Sequence, residues 1–333
     1  MENKISIGEP FVNCYSKFAA ITSIISVDDK AKIWGYLNYS TLMYMRSEAN
    51  DLFWMDLRSD ENTIWEPEWK LCPYIDGEQI ETEKIINNGT FSRFVINNID
   101  KGNCIYADIC ISSIHAYNTK RARQHDLLIY GYDLKEQTAI CRDYFSLKYE
   151  EQRIPFEELE KGFYGKYECE DRKDYNFIFK FHQSVNSYNP TFDEYRAHIK
   201  KMLNLTNFYS YEPGTEKSFQ FLFGLEAYQY LFYDYDKEFL ELNDVRPLYV
   251  IKNHLQLLAE LSDYFGLPFN ELLNELHKLN ETICNLAIKY KITKKEETKH
   301  KMIALSNEFL AIEKDYFEKI LMYKKGSVNE DSI

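Results

Sequence analysis

From about residue 210 onward the chain has almost no residue that would let it turn, and this limits its fold more than anything else. The runs "EKSFQFLFGLEAYQYLFYDYDKEFLEL", "RPLYVIKNHLQLLAELSDYFG", "PFNELLNELHKLNETICNLAIKYKI" and "ETKHKMIALSNEFLAIEKDYFEKILMY" repeat apolar residues at helical steps. Pro247 and Pro268 stand where helices start, and Gly266 where one ends. The spacing predicts four helices, packed as a bundle or arm over 206–326. Residues 327–333 are expected to form a short disordered tail.

Residues 1–205 read differently. The opening segment "NCYSKFAAITSII" has the spacing of a buried helix, interrupted in composition but not in period by Thr22 and Ser23. "KIWGYLNYSTLMYMR" fits a helix or a strand, and "WEPEWKLCPYIDGE" a loop with turns. "NCIYADICISSI" and "HDLLIYGYD" have strand composition. "TAICRDYFSLKYEEQRIP" alternates like a third strand, antiparallel to the second. "PFEELEKGFY" opens a helix on Pro155 with acids in its first turn, "NFIFKFHQ" reads as a strand, and Thr191 is placed to cap the helix "FDEYRAHIKKML". The fold class expected is therefore α+β, with an all-α C-terminal region.

A formal charge of −13 argues against generic nucleic-acid binding, which needs Lys and Arg to neutralise phosphates. No apolar stretch is long enough to span a bilayer, and the start lacks a secretory apolar run. The seven cysteines form no Cys-x-x-Cys pair, so neither a zinc knuckle nor a disulfide framework is signalled. Reduced thiols in a cytoplasmic protein are the expectation, with no membrane and no metal.

A thiol nucleophile needs a depressed pKa and a base within reach. Cys14 precedes a helix whose N-terminal dipole favours thiolate. His125 opens a strand, and Asp143 lies on the next one, where antiparallel pairing can bring it to the imidazole. Asp133 sits in the intervening turn and is expected to cap it. Cys110 with His115 reads as packing, His254, His277 and His300 show no ligand spacing, and the Tyr/Phe run after 217 reads as a core stripe.

"NCYSKFAAITSII" and "HDLLIYGYDLKEQTAICRDYF" together resemble the papain-like cysteine peptidase fold, in the compact form of bacteriocin-processing peptidases. The chain is also similar to the N-terminal domain of the butirosin biosynthesis protein H family, over roughly residues 5 to 165. That family pairs such a domain with a helical region and includes an acyltransferase working from an acyl carrier protein to an amine. The resemblance implies Cys14 as nucleophile, His125 as base and Asp143 as its orienter. It implies an acyl or peptidyl carrier protein as donor partner, and a small-molecule or peptide amine as acceptor. It implies no cofactor beyond the carrier's phosphopantetheine arm. Amide hydrolysis and a catalytically silent scaffold are the alternatives, and a homodimer stays open. The chain departs from the peptidase pattern at Gly8, where an oxyanion-binding Gln is expected, leaving the Cys14 amide and Asn13 as donors. Lys120, Arg121 and Arg123, basic residues just before His125, are the expected docking patch for an acidic carrier.

Overall fold

A computed structural model describes residues 1–47, 53–58, 68–87, 89–146, 148–166, 169, 177–183, 188–204, 207–211, 218–233 and 246–324. The expected tail at 327–333 lies outside these residues. The fold is mixed α+β with antiparallel sheets and a helical C-terminus. Two compact units divide it: residues 1–32 with 67–187, and 33–66 with 188–333. The sequence suggested a single cut near 205, but residues 41–46 pair with 218–223 and so join the later segment.

The first unit contains β1 (Glu2–Lys4), α1 (Ser16–Ile25), β4 (Ile75–Glu81), α3 (Thr82–Asn87), α4 (Phe91–Ile99), β5 (Asn103–Cys110), β6 (Gln124–Asp133), β7 (Thr138–Tyr144), β8 (Tyr149–Pro155), α5 (Phe156–Gly165) and β9 (Phe177–Gln183). Its strands form one antiparallel sheet in the order β4-β9-β5-β6-β7-β8, with β1 added beside β6. The stretch read as one long strand over 138–155 is two, β7 and β8, paired with each other. The loop read at 65–78 gives way to β4 at Ile75, and residues 65–67 lie outside the described set.

Alternation decides which face of this sheet is dry. Ile105, Ala107, Ile109, Leu127, Ile129, Ala139 and Cys141 point to one side. There they meet Phe91, Val95 and Ile99 of α4 and Leu159 and Phe163 of α5, with Phe91 and Phe163 stacked 3.9 Å apart. Burying each Ile, Leu, Val or Phe of this set contributes roughly 1.5–3 kcal/mol. α1 packs against β6 and β7 and is itself buried from Phe18 to Ile25, which explains why its sequence is apolar on nearly every side.

The second unit contains α2 (Asp29–Asn38, from Ile33 on), β2 (Thr41–Arg46), β3 (Phe53–Arg58), α6 (Phe192–Asn204), β10 (Phe208–Tyr211), β11 (Ser218–Phe223), α7 (Gly224–Tyr233), α8 (Arg246–Phe265), α9 (Asn270–Thr293) and α10 (Glu296–Met322). Its sheet runs β10-β11-β2-β3. "KIWGYLNYSTLMYMR" is thus helix and then strand, with the change between Asn38 and Thr41. Thr191 caps α6 as expected: its hydroxyl accepts from the Glu194 amide at 3.2 Å, and Glu194 accepts from the Thr191 amide at 2.6 Å.

The first of the four expected C-terminal helices is corrected. It begins as β11 and becomes helical only at Gly224, while 234–245 lie outside the described residues. Phe219, Phe221 and Phe223 alternate with a period of two and pack with Met43 of β2, so the strand pattern prevails. Gly224 makes the corner at φ +54°, and a Cβ there would lie 2.3 Å from the Met202 carbonyl oxygen. The remaining three expected helices are α8, α9 and α10.

Candidate active site

Cys14 lies just ahead of α1, one residue before the N-cap position Tyr15. The loop that carries it is clamped to the helix it precedes. The Thr22 hydroxyl donates to the Val12 carbonyl at 3.0 Å, and the Val12 amide donates back to Thr22 at 3.4 Å. Thr22, which interrupts the apolar run, therefore fixes the segment beside the cysteine. Further upstream the Arg142 guanidinium donates to the Gly8 carbonyl at 2.6 Å and pairs with Glu9.

Two hydrogen bonds bracket Cys14 against the sheet. Ser16, at the start of α1, donates to Asp126 at 3.2 Å, and Asp126 directly follows His125. The Tyr144 hydroxyl donates to the Asn13 carbonyl, and Tyr144 directly follows Asp143. Burial, with the charges of Cys14 and Asp143 added, raises the Tyr144 phenol pKa, so this ring lies within range of both groups.

His125 and Asp143 meet as the spacing predicts. His125 Nδ1 lies 2.9 Å from Asp143 Oδ2 and 2.9 Å from the carbonyl oxygen of Asp126. Both partners are acceptors, so Nδ1 carries the proton and Nε2 presents a lone pair in the neutral ring. Both contacts are made at Nδ1. The two side chains continue the core-facing series of β6 and β7, while Asp126 and Tyr144 project towards α1. Tyr117, from the short 3₁₀ turn His115–Tyr117, donates its hydroxyl to the same Oδ2. Asp143 is 1% exposed and its Oδ1 is buried without a partner.

Burial alone would lower the His125 pKa. The hydrogen bond and charge of Asp143, with the Asp126 carbonyl and carboxylate, outweigh it and raise the value from 6.5 to about 9. At neutral pH the resting ring is an imidazolium. Four other cysteines are poor nucleophiles. Burial pushes the thiols of Cys72 and Cys104 up to about 12 and that of Cys284 to about 11, and Cys141 is raised as well.

The remaining sequence candidates fall as follows. Asn13 is exposed and contributes its carbonyl to Tyr144. Lys120, Arg121 and Arg123 are all exposed in the segment leading into β6. Asp133 caps its turn by accepting from the Lys135 amide at 2.9 Å. Cys110 is buried and meets Ser112 at 3.2 Å, whereas His115 is exposed. Gly8 does more than lack a side chain: a Cβ there would lie 2.3 Å from Ser26 Oγ and 3.2 Å from Ser26 Cβ. Tyr117, Tyr144, Ser16 and Asp126 were not singled out from the sequence. Tyr117 carries no signal, because a 3₁₀ turn 26 residues upstream delivers it to Asp143. Asp126 could have been found, since it adjoins His125 on a strand expected to be buried.

Among the described residues no cluster of three His, Cys, Asp or Glu could hold a metal ion, and no helix is long and apolar enough to cross a membrane. No family model matches the chain, and no curated protein matches it.

Proposed function

We propose that this chain is a cysteine-dependent acyltransferase built on a papain-like unit, with Cys14, His125 and Asp143 as its catalytic residues. The observation that carries the reading is the His125–Asp143 contact at 2.9 Å, formed on the two strands against which the Cys14 helix packs. Cys14 attacks the carrier thioester as a thiolate, its proton already held on His125 Nε2. The new carbon–sulfur bond forms at Cys14, and the carrier thiol leaves with the proton that His125 returns. In the second half an amine attacks the Cys14 thioester and gives its proton to His125. The Cys14 sulfur leaves as thiolate and is reprotonated, and an amide results.

Each feature has a stated part in this scheme. The raised His125 pKa favours an imidazolium, the partner that stabilises a thiolate at Cys14. Asp143 and Tyr117 hold the imidazole so that Nε2 is the reacting nitrogen. The scheme requires Cys14 Sγ and His125 Nε2 to meet at the open end of β6 and β7, and catalytic hydrogen bonds commonly tighten when substrate arrives. Gly8 supports transfer over peptidase-type hydrolysis, because it lacks the oxyanion Gln and a side chain there would first have to displace the Ser26 hydroxyl. Lys120, Arg121 and Arg123 are the surface offered to an acidic carrier.

The test is intact-protein mass spectrometry after mixing with an acylated carrier protein. A covalent acyl adduct that is absent from Cys14→Ala and discharged by an amine is expected. Peptide cleavage without an amine acceptor would move the assignment to hydrolysis. No adduct, together with no preferential iodoacetamide labelling of Cys14, would leave a scaffold.

A further inference from the structure

A second site is built on the first unit, away from the cysteine helix. α4 buries Phe91, Val95, Asn98 and Ile99 and turns Thr90, Arg93, Phe94 and Asn97 outward, a stripe at helical spacing. With Ile80 at the end of β4 and Lys84 and Ile85 of α3, this stripe encloses a cleft of about 350 Å³. That volume is at the small end of ligand-sized pockets.

The chemistry of the walls is divided. Ile80, Ile85 and Phe94 form the apolar part, and Phe94 is held by stacking on the buried Phe91 at 6.2 Å. Lys84 and Arg93 supply two positive charges, and Thr90 and Asn97 supply polar groups. Among the described residues no carboxylate lines the cleft, although the chain as a whole carries −13. The Arg93 guanidinium has no acidic partner among the described residues. Lys84 is paired with Glu81 at 3.3 Å, but both are exposed, and such a pair is easily exchanged for another anion. The first amides of α4 are already taken: Glu160 accepts from Phe91 and Ser92, and Thr90 accepts from Arg93. The attraction therefore comes from side chains and not from the helix end.

We infer that this cleft binds a small organic carboxylate with an apolar body. The carboxylate meets the fork of Arg93 and the ammonium of Lys84, and the hydrocarbon part lies on Ile80, Ile85 and Phe94. A planar two-oxygen anion suits a guanidinium, and a charge with an apolar tail suits walls that change character within one cleft.

Isothermal titration of the full chain with 4-phenylbutyrate, 4-phenylbutanol and inorganic phosphate tests this. Phenylbutyrate is expected to bind in the micromolar-to-millimolar range, about tenfold or more tighter than either other probe. Raising the salt should weaken it. The double variant Lys84→Gln/Arg93→Gln alters exposed side chains and should keep the fold, checked by circular dichroism, while weakening phenylbutyrate about tenfold or more. Absence of phenylbutyrate binding overturns the inference, as does binding unchanged in the double variant. Phosphate bound as tightly as phenylbutyrate would also overturn it, by showing that the apolar wall takes no part. None of these outcomes depends on Cys14.

Discussion

Two histidine–carboxylate pairs occur among the described residues, and their surroundings give them opposite characters. In the first unit His125 is 29% exposed at its side chain, and its contacts to Asp143 and the Asp126 carbonyl are both made at Nδ1. In the second, His254 on α8 and Glu313 on α10 are 2% and 1% exposed. His254 Nε2 lies 2.7 Å from Glu313 Oε1, and its Nδ1 lies 2.5 Å from the Ser40 carbonyl oxygen. Both ring nitrogens of His254 are engaged in hydrogen bonds, so neither is open to a substrate. The Ser40 hydroxyl continues the network to His198 at 2.9 Å, a ring that burial, with Lys201 and His254, drives down to about 4. A histidine that can act as a base keeps one nitrogen open, whereas one that braces a core uses both.

That contrast can be broken most sharply at His125. His125→Ala should slow acyl transfer by about 10²–10⁴-fold, the range for loss of a general base. His254→Gln, if it folds, should leave the transfer rate within a few-fold. Equal losses in the two variants, read as single-turnover adduct formation, would end the distinction.

Stability should show the reverse order. Glu313→Ala leaves His254 buried against a missing carboxylate and should cost about 3–5 kcal/mol in urea unfolding. His125→Ala leaves Asp143 its bond from Tyr117 and should cost about 1–3 kcal/mol. A smaller loss at Glu313 than at His125 would refute the bracing role.

Proton linkage sharpens the comparison further. The folded-state pKa of His125 lies above its ordinary value, so the pair stabilises the fold fully below about pH 6.5. That contribution is lost as pH rises through about 9. Lys166, held down to about 8 by burial, acts in the opposite sense over the alkaline range. The difference between wild type and Asp143→Asn therefore isolates His125. In the variant the main raising influence is gone while burial remains, and the His125 ring should titrate near or below 6.5 by NMR. A value still close to 9 would show that Asp126, and not Asp143, governs the ring.

Two smaller effects complete the series. Tyr117→Phe removes one charge-assisted hydrogen bond from Asp143 and should cost about 1.5–3 kcal/mol in stability and lower transfer less than His125→Ala does. Arg121→Glu with Arg123→Glu should slow transfer from a carrier several-fold at low salt and hardly at all at high salt. An unchanged rate at low salt would remove the docking role.

The first pair was legible in the sequence and the second was not. His125 and Asp143 fall on strands whose apolar residues alternate with period two, so their order along the chain nearly fixes their approach. His254 and Glu313 lie 59 residues apart on different helices, and helical periodicity does not say which residues of separate helices will face each other. The same limit hid the pairing of β2 with β11, which places residues 41–46 in the second unit. In "SFQFLFGLEAYQYLF" a dense apolar run satisfies both the helical and the strand period, and only Gly224 marks the change from β11 to α7.

The close approach of Gly8 to Ser26 also constrains mutation. Installing a Gln at position 8 meets the Ser26 side chain before it could reach any substrate, and Ser26 is itself anchored to the Ser23 carbonyl at 3.0 Å. A lineage gaining that glutamine would have to turn the Ser26 hydroxyl away from the Ser23 carbonyl, or lose it by substitution at 26. The two positions are coupled through a steric contact, so a sequence with a side chain at 8 should carry a residue without the Ser26 hydroxyl, or that hydroxyl turned aside.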